Sequence, residues 1–132
     1  MRRQARELAV CALFQVEFAP QVNLSELLQL LDSGQEVADL DYAELLVSGV
    51  IEHKEELDRL ISSFSKHWSL SRMSVVDRNV LRMACFELRF GSETIDSAVV
   101  INEAVAVGKK FGSSDSSSFI NGVLDAVARE LA

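Results

Sequence analysis

Proline, cysteine and histidine are scarce in this 132-residue chain, which has one proline, two cysteines and two histidines, and glycine is limited to six positions. Each shortage excludes a class. Cys11 and Cys85 have no CxxC or Cys/His spacing, which argues against a disulfide scaffold or a structural zinc module. Both fall in apolar helical stripes and read as small core residues. His53 and His67 are not spaced with other ligand types for a metal, so each reads as a packing or surface histidine. Gly108, Gly112 and Gly122 do not form a phosphate loop, and no GxGxxG follows a strand. No apolar run approaches the roughly 18 residues that span a bilayer, and no apolar signal segment follows the N-terminal charges. These absences predict a cytoplasmic, non-enzymatic protein with no membrane partner, cofactor or metal.

The hydrophobic content is 48%, enough for one domain over residues 1–132 to bury its own core. Apolar residues recur at helical spacing almost throughout. Ala5, Leu8, Ala9, Ala12, Leu13 and Val16 predict a first helix from Arg2 to Phe18, ending before Pro20. Asn23 and Glu26 resemble a capping box for a short helix through Leu31 that stops near Gly34. Asp41 and Glu44 repeat that signal ahead of a stripe running from Tyr42 to Phe64. That span is long for a small domain, so a break between Gly49 and Lys54 is expected.

Ser74 and Asp77 cap a helix ending at Gly91. Asp96 starts another, which closes on Lys109, Lys110 and Gly112 with cations in its last turn. A serine-rich linker, Ser113 to Ser118, leads into a final helix. Gly49, Gly108 and Gly122 sit inside helical patterns, which points to close helix packing. The fold class is all-α, a bundle of about seven short helices.

Charge is distributed unevenly. The net charge is −7, yet Arg2, Arg3 and Arg6 crowd the first turns, where cations oppose the helix dipole. At spacings of three and four they can share one face clear of the apolar stripe. That pattern predicts a docking site for phosphates or acidic residues. Between Asn23 and Arg59, ten acids face two bases, a region that repels nucleic acid. Between Lys66 and Arg89, five bases face two acids. If the Ser74–Phe90 helix packs near the first, Arg78 and Arg82 extend the arginine tip into one basic patch. Alternatively Arg82 pairs with Asp77 or Glu87, or lays its stem across the bundle.

The opening run Arg2-Arg3-Gln4-Ala5-Arg6-Glu7-Leu8-Ala9-Val10-Cys11-Ala12-Leu13-Phe14 resembles the arginine-rich start of the NusB transcription antitermination factors. The resemblance continues in order through Asp77–Leu88, Val100–Val105, Lys110–Ser116 and Phe119–Asp125, and covers essentially the whole chain. It implies about seven helices in two subdomains. It also implies binding of single-stranded boxA-type RNA together with the small ribosomal-subunit protein NusE, within an RNA polymerase antitermination complex on ribosomal RNA operons.

Carried across residue by residue, the resemblance implies an RNA face of Arg2, Arg3, Arg6, Phe14, Asp77 and Arg78, and a partner face that includes Asp115 and Phe119. Phe14 replaces a tyrosine common in the family, keeping a stacking surface and losing the hydroxyl. Two other readings stand beside this one: a protein adaptor without RNA binding, and a relative of the helical domain of ribosomal RNA methyltransferases. An apolar surface suited to the partner would also serve a homodimer.

Overall fold

The computed structural model describes residues 2–32, 39–66, 68–91 and 94–132, and these form seven α-helices with no strand among them. Helix α1 spans Arg2–Phe18, the bounds its apolar stripe predicts. Helix α2 covers Leu24–Asp32, and the Asn23 side chain accepts from the Glu26 amide at 3.0 Å, as the capping signal requires. The expected stop at Gly34 lies outside the described residues, as does His67.

Helix α3 runs Leu40–Glu52 and α4 Lys54–Phe64. The cap of α3 is Asp39, which accepts from the Tyr42 amide at 3.1 Å, and not Asp41. Asp41 stands one residue inside the first turn, where its charge suits the helix dipole but its side chain does not cap. The expected break falls at His53, with φ −106° and ψ 18°. There the ring packs 4.3 Å from Phe90.

A 3-10 turn, Leu70–Arg72, leads to α5 (Val75–Phe90), whose cap Ser74 accepts from the Asp77 amide at 3.0 Å. Helix α6 (Ser97–Phe111) is capped by Asp96 through the Ala98 amide. Helix α7 takes in Ser116–Leu131, so the expected serine linker is shorter than its composition suggests. Ser116 is buried, its hydroxyl engaged by neighbours.

Helix α5 is the axis of the molecule. It packs against α1, α3, α4, α6 and α7, with α1–α3 grouped on one side and α4, α6 and α7 on the other. Its polarity pattern explains the position. Val80, Leu81, Met83, Ala84, Cys85 and Leu88 are buried, and so are Asn79, Arg82 and Glu87. Such a helix is stable inside only if its polar groups find partners there. One apolar cluster draws residues from all seven helices.

Two of the three interior glycines follow the packing expectation. A Cβ on Gly49 would overlap the Phe86 ring, and one on Gly108 would overlap the Ile120 side chain. Gly122 does not: it is exposed, and nothing lies within 4 Å of a Cβ placed there. The G49A variant is therefore expected to lose about 1–3 kcal/mol through overpacking. G122A is expected to gain up to about 1 kcal/mol from helix propensity. Denaturant unfolding of the two variants beside the unaltered chain checks both signs.

Candidate nucleic-acid interface

Helices α1 and α5 lie antiparallel, joined by a polar cluster at each end. At the first end Arg6 of α1 meets Glu87 of α5, with Nε donating to Oε1 at 2.9 Å and Nη2 to Oε2 at 2.7 Å. The Tyr42 hydroxyl of α3 donates to the same carboxylate. Both charged side chains are nearly sealed from solvent, at 4% and 2% exposure. Burial pulls the Arg6 guanidinium's pKa down, but the hydrogen bonds and charge of Glu87 outweigh it and leave the group raised.

At the second end the charges are exchanged between the helices. Glu17 of α1 accepts from Arg78 Nε at 3.0 Å and from Asn79 Nδ2 at 2.9 Å. Arg78 also donates to the Met73 carbonyl at 3.2 Å, and Arg82 holds Asp58 of α4 through two hydrogen bonds of 2.7 and 3.1 Å.

This arrangement corrects the sequence expectation for Arg6, which lies inside the fold and not on a shared exposed arginine face. Its position faces the core side of α1, among Ala5, Ala9, Val10 and Leu13. Arg78 and Arg82 do not extend the N-terminal tip either. They belong to the Glu17 end of α1, which is eleven residues, or about 16 Å, from Arg6 along the helix. Arg82 is structural, with Asp58 as its partner instead of Asp77 or Glu87.

Arg2 and Arg3 remain as the exposed tip. The Arg2 guanidinium sits over the Tyr42 ring, 4.1 Å from its centroid, where cation–π attraction orients it without withdrawing it from water. Arg3 grips Glu103 of α6 with bonds of 3.1 and 2.7 Å, yet its side chain stays 53% exposed. That hydrogen bond holds the Glu103 carboxyl below the usual carboxylate range, against the opposing pull of its burial. Further along α1, Phe14 is exposed and packs against Phe18 with ring centroids 5.2 Å apart.

Asp77 stands away from the arginine tip, in the first turn of α5, where it accepts from the Ser116 hydroxyl at 2.6 Å. It lines a groove with Asp115, Phe119, Trp68 and Arg72. The structure thus gathers Asp77 with the two residues expected on the partner face. Trp68 and Arg72 join them, which sequence reasoning did not single out for this role. The signal for Trp68 is an exposed tryptophan in a chain that has only one.

The profile of the NusB family matches residues 3–129. A protein named Transcription antitermination protein NusB from Bdellovibrio bacteriovorus is 47% identical over 97% of this chain and 95% of its own length. Its namesake in Geobacter sulfurreducens is 45% identical over 98% and 95%. Among solved structures, T. maritima NusB superposes with a TM-score of 0.85 at 39% identity, covering 98% of this chain and 92% of that one. A crystal structure of antitermination factors NusB and NusE in complex with dsRNA contains a chain with TM-score 0.78 and 29% identity, covering 97% and 96%.

Tyr42 gives the Arg6–Glu87 cluster a pH signature. Burial first, then the hydrogen bond to Glu87 and its charge, push the phenol up to about 12 from an ordinary 10, against the pull of Arg6 and Arg2. The folded state thus holds this proton more tightly than the unfolded chain. The resulting stability is complete below pH 10 and is lost as pH rises towards 12. Burial also pushes the Cys85 thiol up to about 12, so it titrates in an overlapping window in any variant that retains it. Unfolding free energy measured by urea titration is expected to fall more steeply above pH 10 in the unaltered chain than in Tyr42→Phe. Equal slopes would show that Tyr42 does not hold its proton through this cluster.

Proposed function

The chain belongs to the NusB family, and from that membership we propose that it is a transcription antitermination factor gripping boxA-type RNA of ribosomal RNA operons with Arg2 and Arg3, in company with a NusE-type protein. The carrying observation is the solvent-facing arginine pair on a chain of net charge −7. On an otherwise acidic surface, this cationic tip is the place that a phosphate backbone approaches without repulsion.

Each residue of the site has a physical task. Arg2 and Arg3 donate to phosphate oxygens and give salt-dependent affinity. Phe14 offers its ring face to a base that is unpaired. With no hydroxyl, that position adds stacking alone. Arg6 and Arg78 act indirectly as positioning residues, Arg6 by fixing the first turns of α1 on α5 and Arg78 by fixing its far end. The groove lined by Asp77, Asp115, Phe119, Trp68 and Arg72 receives the protein partner. A few phosphate contacts bind RNA modestly, and a second protein holding the same strand raises the effective affinity. The 132 residues work as one cytoplasmic domain without catalysis, and among the described residues no helix is long and apolar enough to cross a membrane. The outcome is read-through of terminators by RNA polymerase.

Fluorescence anisotropy of a labelled boxA-type RNA, titrated with the chain in the presence of NusE at several salt concentrations, tests this reading. The R2A/R3A double variant is expected to bind more weakly and to flatten the plot of log affinity against log salt by about 1.4, two single-strand phosphate contacts' worth. Unchanged affinity and slope contradict the proposal.

A further inference from the structure

Four side chains of α1, Arg3, Glu7, Phe14 and Phe18, fall within about 60° of one another on the helix surface at 3.6 residues per turn. Helix α6 runs beside this edge in the same direction. Glu103, midway along α6, meets Arg3, and Lys110 near the end of α6 brings its Nζ to Glu7 Oε1 at 3.1 Å. Lys110 remains 58% exposed, its ammonium 5.4 Å from the Phe111 ring centroid. At the far end Phe18 is 69% exposed, with its ring tilted 49° to that of Phe14. Cations therefore come first along the edge and exposed rings follow, over about 22 Å between Arg3 and Phe18.

We propose that the RNA strand follows this α1–α6 edge from the arginine tip, with Lys110 as a further phosphate contact and Phe18 as a second stacking ring beside Phe14. The inference rests on the RNA-binding reading above and extends it to two residues outside the arginine tip. The occupant follows from the combination of groups. An acidic peptide would answer the cations but make little use of two open rings, and an apolar protein surface would leave the cations unmatched. A nucleic acid strand carries both a repeating anion and a stackable face at each step. Glu7 tempers the edge: while it holds the Lys110 ammonium, it competes with the incoming phosphate.

The same anisotropy titration, with boxA-type RNA and saturating NusE, tests the track through surface variants. Phe18→Leu keeps the apolar bulk and loses the ring face, and is expected to weaken binding about five-fold or more. Phe18→Trp is expected to retain affinity. Lys110→Gln is expected to flatten the salt dependence by about 0.7. Glu7→Gln, which leaves the ammonium available, is expected to tighten binding, a sign that a loss of structure would not produce. Equal affinity and slope for Phe18→Leu and Lys110→Gln, in a chain that binds the RNA, overturn the track and leave the arginine reading standing. No binding by the unaltered chain overturns both.

Discussion

The structure depends on how α1 is fixed against α5. Two polar clusters join these antiparallel helices with opposite charge order, Arg6 to Glu87 at one end and Glu17 to Arg78 and Asn79 at the other. Flipping the helix or sliding it by one turn would set like charges together or leave buried ions unpaired. Breaking the buried Arg6–Glu87 pair from one side costs about 3–5 kcal/mol, as much as truncating a large core side chain. The clusters thus select a register that apolar packing alone would specify less sharply.

That register divides the basic residues by task. Arg6 and Arg82 hold helices together with less than 10% of their side chains exposed, whereas Arg3 and Lys110 stay more than half exposed despite their carboxylate partners. An exposed ion pair contributes little to stability and exchanges readily for another anion. The surface pairs can therefore give way to phosphate, while the buried ones cannot without unfolding. Tyr42 links the two sets, since its hydroxyl belongs to the buried cluster and its ring supports the exposed Arg2. The proposed recognition at the tip thus rests on a core that keeps the tip in place.

Much of the fold is legible in the sequence because helical periodicity and caps are local. The bounds of α1, the Ser74 and Asp96 caps and the break before Lys54 all follow from residues within one or two turns. What the sequence hides is long-range. Arg6 can share a face with Arg2 and Arg3 by spacing, and it equally stands at i, i+3, i+4 and i+7 with Ala9, Val10 and Leu13; what settles its role is Glu87, 81 residues away. Likewise Asp58 is one of ten acids in a region that reads only as repelling nucleic acid, until Arg82 reaches it from the central helix. The groove around Asp77 and Phe119 combines two separate stretches of chain and has no single motif. Gly122 errs in the other direction, since a glycine inside a helix suggests a close neighbour and none is there.

The central claim is that two arginines of the tip meet RNA while their sequence neighbours serve the core. The most direct measurement is a two-dimensional NMR spectrum of arginine Nε–Hε groups, recorded as boxA-type RNA is added to the labelled chain with NusE. The signals of Arg2 and Arg3 should shift progressively while those of Arg6 and Arg82 hold their positions. Shifts confined to the buried arginines, or none at the tip while RNA is bound, would contradict it.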